Sequence, residues 1–262
     1  MKSTQPCFRS VSRVLAARAE KVARPSTLWE CFCDILRLSN RTEDEPLRNN
    51  LTELVFILDR SGSMAGLQND TIGGYNAMLD RQRSEPGRAL VSTVLFDDRY
   101  ELLHDRLLLN RVPPITSKDY FARGTTALLD AIGRTILYID SAHERMAPEV
   151  RPAKTLFVIT TDGQENVSTE FNLQRIRALI EKKKSRYGWK FLFLGANIDA
   201  VDTAQSFGIS AAHAVDCFAD SLGSRAQYEA IGEAVSAVRA DAPLTGDWKR
   251  GIERDALRRG GR

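Results

Sequence analysis

Residues 54–63 read Leu54-Val55-Phe56-Ile57-Leu58-Asp59-Arg60-Ser61-Gly62-Ser63. Five apolar residues in succession, without alternation, describe a strand buried on both faces, and such strands belong to parallel sheets. The run ends on an acid, and Gly62 permits a sharp turn directly after it. Further apolar runs predict strands at 89–96 (ALVSTVLF), 100–109, 155–160 (TLFVIT), 190–194 (KFLFL) and 214–218. Helical spacing predicts helices over 67–83, 126–146, 172–184, 200–207 and 225–239, the first weakened by Gly73 and Gly74. Asp97-Asp98 reads as a hairpin turn, which makes 100–109 the antiparallel neighbour of 89–96. The expected fold class is α/β: a Rossmann-like, mostly parallel six-stranded sheet with one antiparallel edge strand and helices on both faces.

Around that core the composition changes. Residues 1–50 read as a basic, flexible or partly helical extension, 51–240 as the folded domain, and 241–262 as a frayed basic tail. The first 28 residues carry Lys2, Arg9, Arg13, Arg18, Lys21 and Arg24 against Glu20 alone, a composition shared with organelle transit peptides. A short amphipathic helix is expected over 27–38. No apolar run reaches the length of a membrane span, and arginines interrupt any signal-peptide core, so the expected compartment is the cytoplasm. The 37 basic and 34 acidic residues leave a formal charge of only +3, which gives no warrant for a nucleic-acid partner. The arginines Arg254, Arg258, Arg259 and Arg262 are too few, and lack the interleaved aromatics, to change that. Cys31-x-Cys33 and Cys7 have neither zinc nor redox spacing and read as ordinary thiols. His104, His143 and His213 approach no motif, and Trp189 and Phe191 are expected in the core.

In an open α/β sheet, ligands bind beyond the carboxyl ends of the strands, where strand order reverses. Three segments arrive there: Asp59-Arg60-Ser61-Gly62-Ser63, Thr161-Asp162-Gly163, and Gly124-Thr125-Thr126 before a predicted helix. They bring two carboxylates and several hydroxyls, with no histidine or cysteine. Such an all-oxygen set suits a hard divalent cation such as Mg²⁺. A purely structural reading makes Asp59 a helix cap and Asp162 a turn former. It leaves unexplained why both acids fall at one sheet edge.

Asp59-x-Ser61-x-Ser63, with Thr126 and Asp162, resembles the metal-ion-dependent adhesion site, or MIDAS, of von Willebrand factor type A domains. The resemblance covers roughly residues 53–239, with three separated segments in the family's order. Gly73-Gly74-Tyr75-Asn76, Thr161-Asp162-Gly163-Gln164-Glu165-Asn166 and Gly195-Ala196-Asn197-Ile198-Asp199-Ala200 are similar to a subgroup of small bacterial and phage-type members. The resemblance implies the type A variant of the Rossmann-like fold. It also implies a metal site of Asp59, Ser61, Ser63, Thr126 and Asp162, holding Mg²⁺ with Mn²⁺ or Ca²⁺ as alternatives. In the family the serines bind the metal directly, and the threonine and acids bind directly or through water. The implied partner is a protein that completes the site with an Asp or Glu side chain. In bacterial relatives that is often a chaperone-like ATPase or stress-response assembly.

Gly62 and Thr125 flank this set. Glu165 and Asn166 read equally as turn formers or as groups that orient the site. Asn197 and Asp199 fall on the same predicted edge as a docking rim, although Asp199 reads better as the cap of the 200–207 helix. Enzymatic readings fit poorly. A phosphatase of the haloacid-dehalogenase type needs a second aspartate where Ser61 stands, and a serine does not act as acid–base partner at neutral pH. G-x-S-x-G, P-loop and G-x-G-x-x-G patterns are missing. The expectation is therefore a non-catalytic, metal-dependent protein-binding module. The alternatives are a scaffold or assembly subunit with incidental metal binding, and a Mg²⁺-dependent hydrolase.

Overall fold

The first strand, β1 (Leu51–Asp59), is buried at every residue. The structure, a computed structural model, describes residues 50–260. The basic extension, the helix expected over 27–38 and Cys7, Cys31 and Cys33 lie outside the described residues. After β1 come α1 (Gln68–Arg83), β2 (Arg88–Phe96), β3 (Tyr100–Leu108) and α2 (Leu128–Glu144). They are followed by β4 (Lys154–Thr161), α3 (Leu173–Tyr187), β5 (Lys190–Ala196), α4 (Ala200–Ser206), β6 (Ala214–Cys217) and α5 (Ser221–Arg239). A last helix, α6, spans Arg250–Arg258.

The sheet runs β3-β2-β1-β4-β5-β6. All neighbours are parallel except β2 and β3, which pair antiparallel around the Asp97-Asp98 turn. This is the expected α/β architecture, mostly parallel with one antiparallel edge strand. Side chains alternate along β1 because successive Cβ atoms point to opposite faces. Leu54, Phe56 and Leu58 pack with Tyr75 and Met78 of α1, Ile231 and Val235 of α5, and Ile252 of α6. Val55 and Ile57 pack with Ile132 and Ile136 of α2, Ile176 and Ile180 of α3, and Ala200 of α4. Trp189 and Phe191 are buried on that second face, as expected.

The chain winds outward from β1 to β2 and β3, then crosses back to β4 on the other flank. Strand order therefore reverses between β1 and β4, where Leu58 pairs with Thr160. That register sets the ends of the two strands side by side. The residues of the subgroup pattern that lie in α1 serve the packing. Tyr75 is buried with its hydroxyl 2.5 Å from Thr93 Oγ1, and Asn76 holds Ile115 by both its N–H and its carbonyl. A Cβ on Gly74 would lie 2.3 Å from the Tyr228 ring, so glycine there lets α1 and α5 touch.

The expected frayed tail is corrected by the structure. Trp248 and Ile252 are buried, and Trp248 Nε1 donates to Ala212 O at 3.0 Å. Two apolar anchors four residues apart dock α6 onto the sheet face beside α5. Far from the strand ends, Glu53 is fully buried. Its Oε2 accepts from Arg106 Nη2 at 2.7 Å and lies 3.2 Å from His143 Nε2. A carboxylate only accepts, so His143 Nε2 bears its proton. No helix among the described residues is long and apolar enough to cross a membrane.

Candidate metal centre

Asp59 closes β1 and is buried. Its Oδ1 accepts the Ser61 N–H at 2.7 Å, which folds the D-x-S turn back on itself. Its Oδ2 accepts the Thr161 hydroxyl at 2.5 Å, tying β1 to β4 at the reversal of strand order. The Tyr120 hydroxyl donates to the Asp59 carbonyl from a third loop. From Ser61 the hydroxyls run inward: Ser61 Oγ lies 3.0 Å from Ser63 Oγ, and Ser63 Oγ donates to Asp162 Oδ1 at 2.5 Å. Asp162 Oδ2 is buried and has no hydrogen-bond partner among the described residues.

The third loop arrives through glycine contacts. Gly62 N–H donates to Gly124 O at 3.1 Å. Gly124 has φ +67°, and a Cβ there would lie 2.2 Å from Asp98 Oδ1, so only glycine fits. Thr126 then stands beside the serines. A Cβ built on Gly163 would lie 3.1 Å from Thr126 Oγ1, 3.3 Å from Ser63 Oγ and 3.9 Å from Ser61 Oγ. Three hydroxyls from two loops therefore face one small space that a missing side chain leaves open.

The structure thus gathers Asp59, Ser61, Ser63, Thr126 and Asp162 at one edge. Asn166 holds Thr126 by its backbone: its Oδ1 accepts the Thr126 N–H at 3.0 Å and its own N–H donates to Thr126 O at 3.1 Å. It fixes the Thr126 backbone. Glu165 instead accepts N–H groups of Leu129, Val167 and Ser168, capping α2 and its own turn. Asp199 accepts the Asp202 N–H at 2.9 Å as the cap of α4, and Asn197 lies in the left-handed region beyond β5. Thr125 is exposed.

Sequence reasoning missed a second layer. Asp97 forms the expected turn, accepting the Arg99 N–H at 2.7 Å, but it is also fully buried. Its Oδ2 accepts from Arg60 Nε at 2.9 Å and Arg123 Nε at 2.7 Å. Burial would raise this carboxyl, yet Arg123 and Arg60 hold it below the usual range. Arg60 and Arg123 belong to the two loops that carry the serines and Thr126, so one buried acid clamps both. The weak signal for it was Arg60, a cation directly after a buried strand.

Burial pushes Asp59 up to about 6, against hydrogen bonds from Thr161 and Ser61, and the Asp162 charge adds to the rise. Burial also raises Asp162. Neither acid forms an ion pair among the described residues. Two carboxylates held close without a counter-charge are costly. The cost, the orphaned Asp162 oxygen and the all-oxygen lining fit a hard divalent cation. No cluster of three His, Cys, Asp or Glu side chains is placed to hold a metal among the described residues. Any such ion would therefore depend on the hydroxyls.

Sheet order and helix placement are consistent with the Rossmann-like α/β fold expected of a von Willebrand factor type A domain. No family model matches the sequence, and no curated protein does. Among solved structures, the chain is similar to proximal thread matrix protein 1 from the mussel byssus: 16% identity, TM-score 0.49, covering 72% of this chain and 46% of that one. Another structure of that mussel protein has a zinc-occupied MIDAS motif. A von Willebrand factor type A protein from Catenulispora acidiphila has 13% identity and TM-score 0.47, over 71% of this chain and 42% of that one. The hypothetical protein BatB from Bacteroides thetaiotaomicron has 15% identity and TM-score 0.43, over 73% of this chain and all of that one. The chain spans less than half the length of the first two.

Proposed function

We propose that this chain is a non-catalytic protein-binding module whose docking point is a divalent cation, Mg²⁺ in the cell, completed by a carboxylate of the partner. The observation that carries this reading is that the Ser61, Ser63 and Thr126 hydroxyls face the space beside Gly163, with Asp162 bonded to Ser63 and Asp59 to the Ser61 N–H. These residues would hold the ion; when bound, it would supply an electrophilic corner for an incoming carboxylate oxygen. Three of the five donors are neutral hydroxyls, so the chain's own groups contribute at most two negative charges and leave an acidic ligand attractive. Phe121 and Val167, on the loops beside Thr126 and Asp162, are 40% and 39% exposed. Apolar groups around a charged centre suit a protein surface better than a small substrate. The chain's three histidines are engaged elsewhere, with Thr93, Glu53 and Leu244, so no imidazole stands at the site.

Thermal denaturation with added Mg²⁺ tests the reading. Saturation at about a hundred times Kd should add roughly 2.7 kcal/mol, or about 5–10 °C for a domain of this size. Capture of a partner on the immobilised protein should be lost with chelator and restored by Mg²⁺. Partner capture indifferent to chelator would favour the scaffold alternative. Gly163→Ala sharpens the test. Its Cβ would press on the Thr126 and Ser63 hydroxyls, so Mg²⁺ affinity should fall roughly 10- to 100-fold. The metal-free melting temperature should stay close to that of the wild type.

A further inference from the structure

The amino end of β5, opposite the metal centre, borders a cavity of about 190 Å³ lined by Lys184, Trp189, Lys190, Phe191, Ile209 and His213. From Lys190 to Ala196, six residue steps of 3.3 Å put the two ends of β5 about 20 Å apart. The lining has cations and apolar walls but no carboxylate. Trp189, Phe191 and Ile209 are buried and form a fixed floor. Lys184 comes from α3, Lys190 from β5 and His213 from the short turn before β6, so the three nitrogens arrive from separate elements.

The two ammonium groups keep free donors. Lys184 Nζ donates to Gly208 O at 2.6 Å, which leaves two of its three N–H groups. Neither Lys184 nor Lys190 forms an ion pair among the described residues. The adjacent Lys183 does, with Asp140, which leaves Lys184 and Lys190 as the unmatched lysines of the cavity. His213 Nε2 lies 3.1 Å from Leu244 O, a group that only accepts, so Nε2 bears hydrogen and Nδ1 is the free ring nitrogen. Burial lowers His213 from its ordinary value despite the Leu244 bond, and the charges of Lys184, Lys190 and Lys249 lower it further. The ring sits in a concentrated positive field.

We propose that this cavity binds a small phosphate-bearing anion. Its volume equals about six waters, below the roughly 300 Å³ at which pockets for drug-sized ligands begin. A phosphate group with a few attached atoms fits, and a nucleotide does not. The two ammonium groups donate to phosphate oxygens from different elements, and the free His213 Nδ1 accepts the P–OH of a hydrogen phosphate ion, a proton that acetate does not offer at neutral pH.

The test is a titration of the full chain with inorganic phosphate at constant ionic strength, followed by the Trp189 indole resonance. Chelator is present throughout, so failure of the metal centre does not affect the result. The expected result is a saturable shift, with half-saturation raised roughly tenfold or more in Lys190→Gln. Lys182→Gln, an exposed lysine of α3, should leave it unchanged, and acetate should bind much more weakly. An unsaturable response, an unmoved indole, equal binding of acetate, or equal losses in both lysine variants would overturn the proposal. If Lys190→Gln fails to fold, the wild-type indole shift and the acetate comparison still decide it.

Discussion

The Asp59→Asn variant is expected to melt above the wild type in chelator and to show no further rise with Mg²⁺. Asp59 and Asp162 are buried acids without counter-ions among the described residues, and burial raises both. An asparagine keeps the shape. Its carbonyl still accepts the Ser61 N–H, and its amide can donate to the Thr161 hydroxyl, which turns to accept. Removing one buried charge costs the metal-free protein nothing in packing and relieves about 1–2 kcal/mol, or about 2–8 °C for a domain of this size. The same change removes an anionic ligand, so Mg²⁺ stabilisation should vanish. Calorimetric melts with chelator and with saturating Mg²⁺ give both numbers. A variant that melts lower than the wild type in chelator, or keeps its Mg²⁺ response, contradicts this account of the site.

Glu53→Gln is expected to have a larger effect, without touching the strand-end site. Glu53 is enclosed by Arg106 and His143 at the other end of β1. Replacing its charge leaves the Arg106 guanidinium buried without its carboxylate, a kind of loss that costs about 3–5 kcal/mol. The melting temperature should fall by roughly 10 °C. Burial alone would raise Glu53, but the His143 hydrogen bond and the Arg106 charge outweigh it, so the carboxyl lies below its ordinary value of 4.5. The folded state therefore binds fewer protons here than the unfolded state. Stability from this cluster is complete above pH 4.5 and drains away as the pH falls through the lower folded value. The variant should be less stable at neutral pH and should show a flatter acid limb, measured by denaturant melts from pH 7 to pH 3. An unchanged acid limb would remove the cluster from the account.

The two clusters also separate what was legible in the sequence from what was not. LVFIL, TLFVIT and KFLFL announce doubly buried strands because apolar runs of that length have few other uses. Once strand order is known, the residues after Leu58 and Thr161 must meet, and the D-x-S-x-S spacing does the rest. Asp97 was legible only as a turn, because its partners Arg60 and Arg123 lie 37 and 26 positions away. Asn166 was undecidable for the same reason: its role depends on Thr126, 40 residues earlier. Glu53 sits at the start of an apolar run, and nothing local shows that Arg106 and His143 will enclose it. Trp248 and Ile252 lie in a short stretch whose arginines suggest a solvated tail, while two apolar side chains suffice to dock it. Lys184, Lys190 and His213 share a cavity only after three elements have packed. Contacts set by periodicity were readable; contacts set by chain crossings were not.

The most direct test of the central claim is a crystal of the protein soaked in Mn²⁺ and measured at the manganese absorption edge. The account predicts one strong anomalous peak beside Gly163, within coordinating distance of Ser61, Ser63 and at least one of Asp59 and Asp162. A peak elsewhere, or none at that edge of the sheet at saturating Mn²⁺, would contradict it.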